Sequence, residues 1–117
     1  MIFSEPKGRV WLYTQPTDMR KSYHGLNSLV RTVMKKDVLS GDYFVFVNRK
    51  KTQLKMLYFD RTGFCLWCKQ LEQGQFPLKA SVDGTLAMSW TELKLMLEGI
   101  HVKKAQYSKR WHYSQTA

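Results

Sequence analysis

The middle of the chain carries its clearest alternation of apolar and polar positions. Tyr43–Val47 is continuously apolar, Gln53–Phe59 alternates polar and apolar before turning fully apolar, and Phe64–Cys68 is aromatic and thiol-rich. Aromatic and β-branched runs suit a pleated, half-buried surface, so each is a predicted strand. Asp60-Arg61-Thr62-Gly63 places a glycine where a type I turn followed by a left-handed residue needs one, and predicts an antiparallel hairpin of Gln53–Phe59 with Phe64–Leu71. Asn48-Arg49-Lys50-Lys51-Thr52 is the other turn. The expectation is a three-stranded meander whose tip projects three consecutive cations.

The flanking sequence supplies two helices and one or two short strands. Arg9-Val10-Trp11-Leu12-Tyr13 reads as a first strand ended by Gln15-Pro16, after a loose lead-in over Met1–Gly8. Apolar residues then recur at Met19, Tyr23, Leu26, Val30 and Val33, a helical stripe expected to start at a Thr17 or Asp18 cap and run to about Lys35. Its polar side carries Arg20, Lys21, Asn27, Ser28, Arg31 and Lys35. Arg20 and Lys21 fall in the expected first turn, where cations oppose the helix dipole, and a local rule broken in this way marks a candidate functional position.

After the meander, the turn-rich stretch Leu71–Pro77 and an irregular Lys79–Asp83 lead to a short strand at Gly84–Met88. Ser89-Trp90-Thr91-Glu92 matches a capping box, Leu93, Met96 and Leu97 make an apolar face, and Gly99 is a natural stop. The pattern predicts an α+β fold, a small antiparallel sheet flanked by two helices, as a single domain over residues 1–102. Residues 103–117 read as a basic, aromatic tail.

Charge sharpens the functional picture. The 117 residues hold 19 Lys and Arg against 9 Asp and Glu, a net charge of +10. Lys103, Lys104, Lys109 and Arg110 belong to the tail, and removing those four leaves +6 on the body. A balance of this size favours an anionic partner, with nucleic acid first and an acidic protein or membrane surface next. No apolar run reaches the roughly 18 residues of a spanning helix, and the N-terminus lacks the apolar core of a signal peptide, so the expected location is the cytoplasm.

Chemistry-bearing residues are few. Cys65 and Cys68 are three apart in a predicted strand, so they point to opposite faces and neither chelate together nor pair easily. Zinc needs two further ligands, and His24, His101 and His112 have no matching spacing, so both thiols are expected to be buried and reduced, with no metal or other cofactor. Asp18, Asp60, Asp83 and Glu72 have ordinary roles in capping, a turn, a loop and a strand end. No spacing unites them into a metal-dependent nuclease, and the expectation is a protein without catalytic residues.

With these pieces placed, the sequence resembles the small accessory TnpB protein, product of the second reading frame, of the IS-sixty-six family of bacterial insertion sequences. This family is distinct from the RNA-guided nuclease that shares the name. The resemblance lies in Arg9-Val10-Trp11-Leu12, in Thr17-Asp18-Met19-Arg20-Lys21 with Gly25-Leu26, in Phe44-Val45-Phe46, and in Lys55-Met56-Leu57 and Asp60. It continues through Gly63-Phe64-Cys65-Leu66, Lys69, Leu71-Glu72, Gly74 and Phe76, and closes with Glu92-Leu93, Leu95-Met96-Leu97, Gly99 and Ile100, covering about residues 9–101. Gln70, Pro77-Leu78 and Cys68 depart from the family pattern. The resemblance implies participation in transposition beside a separate, larger transposase that carries the catalytic carboxylates.

Two readings follow for an accessory factor. In the first, Arg49, Lys50, Lys51, Lys55, Arg61 and Lys69 meet DNA phosphates, at the element ends, from the meander. Arg20 and Lys21 extend that surface, and Lys103, Lys104, Lys109, Arg110 and Trp111 add contacts from the tail by charge and stacking. In the second, the protein is an adaptor that docks the transposase of the same element through exposed aromatics around Phe76, the second helix or the tail.

Overall fold

The computed structural model describes residues 8–78, 84–101 and 106–107. Strands β1 (Val10–Tyr13), β2 (Tyr43–Val47), β3 (Gln53–Asp60), β4 (Gly63–Gln70) and β5 (Thr85–Met88) form one sheet in the order β4-β3-β2-β1-β5. Helix α1 (Tyr23–Thr32) lies between β1 and β2 in the chain, and α2 (Trp90–Leu97) follows β5. A separate ribbon pairs β6 (Ile100–His101) with β7 (Gln106–Tyr107). The expected lead-in over residues 1–7, the irregular 79–83 and the tail residues Lys103, Lys104, Lys109, Arg110 and Trp111 lie outside the described residues.

The meander forms as expected, with β2–β3 and β3–β4 both antiparallel. The first strand joins its sheet directly: β1 runs parallel to β2 and antiparallel to β5, which makes the sheet mixed. A parallel pair needs a crossover connection of a dozen or more residues, and the stretch containing α1 supplies it. Asp42 fixes the junction, its carboxylate accepting hydrogen bonds from the Arg9 backbone N–H and from Trp11 Nε1, both at 3.0 Å. The Lys36 ammonium sits 3.6 Å over the same Trp11 ring. Gly8 permits the close approach there, because a Cβ would run into the Gly41 carbonyl.

Alternation within the strands builds two cores, one on each side of the sheet. Val10, Leu12, Val45, Val47, Leu54 and Met56 face α2, against its Leu93 and Met96. Phe44, Phe46 and Leu57 face α1, against Leu26, Val30 and Met34. Every residue of β2 is buried, which a strand covered on both faces requires. Each such Phe or Val contributes about 1.5–3 kcal/mol by leaving water.

The first helix is shorter than the stripe predicts. Asp18 does not cap it. The Asp18 carboxylate instead accepts from the Arg20 N–H at 2.9 Å, and the Lys21 N–H reaches the Asp18 carbonyl at 3.1 Å, so residues 18–21 make a turn of their own. The helix starts after Ser22, an extended N-cap without a side-chain bond, which places Arg20 and Lys21 ahead of the first turn rather than in it. Of the expected stripe, Tyr23 and Val33 are 46% and 49% exposed. Leu26, Val30 and Met34, at steps of four, are the row that meets the sheet.

The hairpin turn also differs. Arg61, with φ of 50°, is the left-handed residue, while Gly63 already lies in the ladder opposite Asp60. A two-residue loop therefore replaces the longer turn, and the Thr62 N–H donates back to the Asp60 carbonyl. The second helix matches its capping box: Ser89 Oγ accepts from the Glu92 N–H at 3.0 Å and the Glu92 carboxylate accepts from the Ser89 N–H at 2.9 Å.

Candidate nucleic-acid interface

Two segments far apart in the chain supply cations to one end of the sheet. The first is the β2–β3 turn. Asn48 organises it, its Oδ1 accepting from the Thr52 and Gln53 N–H groups at 2.9 and 3.0 Å, while the Lys51 N–H closes the turn onto the Asn48 carbonyl at 3.0 Å. Arg49 and Lys50 are exposed at its apex. Lys51 is half-buried and left-handed, with φ of 61°. The residues after β4 brace the turn from behind, with the Phe76 N–H on the Lys51 carbonyl at 2.7 Å and Gln75 Nε2 on that of Lys50 at 2.9 Å.

The second segment is the turn before α1. Thr17 is buried, and its N–H donates to the Val47 carbonyl at 2.9 Å, which anchors the turn to the end of β2. Lys55 then donates from Nζ to the Lys21 carbonyl at 2.7 Å and ties the turn to β3. Arg20, Lys21 and Lys55 thus lie on the α1 side of the sheet, at the end that carries Arg49, Lys50 and Lys51.

Arg20 is held by Asp18. The guanidinium Nε lies 3.1 and 3.0 Å from the two carboxylate oxygens, and Nη2 lies 2.7 Å from Oδ2. Those side-chain bonds, followed by the Arg20 backbone N–H, pull the Asp18 carboxyl down to about 2, and the same contact raises Arg20. Nη1 makes none of these bonds, and the Arg20 side chain is 91% exposed, so its outer edge can still meet an anion. The sequence offered Asp18 only as a cap; its position two residues before Arg20 was the available signal for this pair.

Two expected members of the surface are placed differently. Arg61 sits in the β3–β4 turn, and β3 is eight residues long, so Arg61 is about 26 Å from the Arg49–Lys51 turn. Lys69 is on the α2 side, with Nζ donating to the Leu97 carbonyl at 2.9 Å and lying 3.5 Å from the Glu98 carboxylate. A cation at a helix C-terminus satisfies its last carbonyls and is attracted by the negative end of the dipole.

Beside Lys55 the surface is concave. A cleft of about 380 Å³ is lined by Met19, Gln53, Leu54, Lys55, Cys68, Lys69 and Gln70. Cys65 pairs across the ladder with Tyr58 and Cys68 with Lys55, so the two thiols face opposite sides as expected. Both are free, but neither is buried as expected: Cys65 is half-buried and Cys68 exposed, since β4 is an edge strand. Among the described residues, no three of His, Cys, Asp and Glu come together in a group that could hold a metal. Phe76, expected as part of an exposed aromatic docking surface, is 1% exposed and belongs to the core. No helix among the described residues is long and apolar enough to cross a membrane.

Comparison with known proteins places this chain among relatives along nearly all its length. A family model described as IS66 Orf2 like protein matches residues 8–107. Two proteins of Sinorhizobium fredii (strain NBRC 101917 / NGR234), both designated uncharacterized, are similar. Protein y4hO is 36% identical over 110 residues, covering 94% of this chain and 96% of its own. Protein y4jC is 37% identical over 92 residues, covering 79% of each. No solved structure matches.

Proposed function

The chain belongs to the IS66 Orf2-like family of insertion-sequence accessory proteins, and from that premise we propose that it acts in transposition of its element as a non-catalytic factor binding duplex DNA at the element ends. The contact surface is the basic end of the sheet, formed by Arg20, Lys21, Arg49, Lys50, Lys51 and Lys55. One observation carries the reading: the Lys55 to Lys21 hydrogen bond, which holds the turn before α1 on β3 at the end of the sheet that carries the Arg49–Lys51 turn. Exposed cations without a helix inserted between them meet phosphates and position the duplex rather than reading its bases.

Each phosphate contact releases counterions, so log affinity falls against log salt with a slope of about −0.9 per contact. The test is a salt titration of binding to a labelled terminal inverted repeat and to a scrambled duplex, for wild type and an Arg49→Ala/Lys50→Ala/Lys51→Ala variant. The expected result is a steep slope that flattens by roughly 0.9 for each contact removed. Tighter binding to the repeat assigns a role at the element ends. Absent binding, or a slope equal in both proteins, overturns the DNA reading and leaves an adaptor for the transposase.

A further inference from the structure

Strand β4 is an edge of the main sheet, and among the described residues no strand pairs with its outer side. It runs eight residues, Gly63 to Gln70, in a one-to-one ladder with β3 that contains neither proline nor bulge. Its first six residues, GFCLWC, hold no charge. Natural edge strands are usually shortened, bulged, charged or covered, because an open row of N–H and C=O groups templates another strand. The opposite edge, β5, is only four residues long.

The register shows which groups are open. The Leu71 N–H donates to the Thr52 carbonyl at 2.8 Å, and the same alternation pairs Lys69 with Leu54, Trp67 with Met56 and Cys65 with Tyr58. Those residues spend their backbone groups on β3. Phe64, Leu66, Cys68 and Gln70 therefore aim theirs outward, and among the described residues no backbone group meets them.

We propose that this edge pairs with the β4 edge of a second copy of the chain, antiparallel about a twofold axis at Trp67, to form a continuous ten-stranded sheet. The occupant is argued from charge. Arg61 lies at one end of the edge and Glu72 just past the other; both are exposed, and neither forms an ion pair among the described residues. Antiparallel pairing about Trp67 brings the Arg61 turn of each copy level with Glu72 of the other, twice by symmetry. Pairing about Leu66 sets Asp60 against Glu72, a like-charge juxtaposition that disfavours that register. The net charge of +10 on each copy opposes association, but it is screened beyond about 8 Å at physiological ionic strength, whereas Arg61 and Glu72 lie only one residue out of register across the pair. The pairing also gives Arg61 a role that its distance from the basic end denies it, and the twofold sets the two basic ends at opposite ends of the joined sheet.

Sedimentation equilibrium under reducing conditions, without DNA, tests this from micromolar to millimolar protein. Wild type is expected to associate reversibly from 13.8 kDa to twice that mass. Cys68→Pro deletes one outward N–H while leaving the β3 ladder whole, and is expected to weaken association by roughly tenfold or more. Cys68→Ala, which keeps the N–H, should associate as wild type does. Arg61→Glu and Glu72→Arg should each weaken association roughly fivefold, and the double variant should restore it, a readout independent of how well the proline is accommodated. A wild type that stays at 13.8 kDa throughout, or reversals that leave association unchanged singly, overturns the proposal.

Discussion

Arg20 shows how much one residue's neighbours change its meaning. In the sequence it reads as a cation misplaced in a helix; in the fold it stands ahead of the helix, gripped by Asp18. That pair sets a pH dependence whose sign follows from the lowered carboxyl. Asp18 titrates near 2 in the folded chain and at its ordinary 3.8 when unfolded, so its contribution is present above about pH 4 and lost as pH falls toward 2. Carboxyl-carbon NMR should find the Asp18 midpoint near 2, and Arg20→Ala should move it up toward the ordinary carboxylate range. An unmoved midpoint would show that Arg20 is not the cause. Lys35, Lys51 and Arg61 share a different oddity: all three are left-handed, with φ of 58°, 61° and 50°, where glycine or asparagine costs less. Propensity favours a small residue at such positions, so nothing short of the backbone itself reveals that these long cations are left-handed.

At the scale of elements, strength of local signal decided what could be read. The capping box of α2 is satisfied by residues three apart, needs nothing from the rest of the fold, and was legible for that reason. Ser89→Ala should cost about 1 kcal/mol in chemical denaturation, with the midpoint falling and the slope unchanged, because the α2 N–H groups it leaves behind remain exposed to water. Helix α1 has no such device, lacking both a side-chain cap and an acidic residue in its first turn. Its ends are set by the Asp18 turn and by left-handed Lys35, and its buried row by the sheet it packs on. A stripe counted along the sequence therefore overran the helix and included Tyr23 and Val33, which face solvent.

For the whole molecule, the sheet acts as a partition. Leu54 and Lys55 are consecutive in β3, so their cross-strand partners Lys69 and Cys68 fall on opposite faces. Lys55 consequently joins Arg20 and Lys21, while Lys69 closes the end of α2. Lys69→Ala should therefore lower stability by roughly 1 kcal/mol through the lost clasp and leave the DNA salt slope as in wild type. A slope reduced by about 0.9 would instead put Lys69 on the phosphate surface. The sequence by itself determined what depends on neighbours within a few residues: three meander strands, the capped second helix, opposed cysteines, the net charge and the family resemblance. Tertiary structure alone decided that β1 lies parallel to β2, that Phe76 is core and Cys68 surface, and that Lys69 closes the end of α2. Strand order and burial arise from contacts between segments tens of residues apart, and no short window of the chain contains both partners of such a contact.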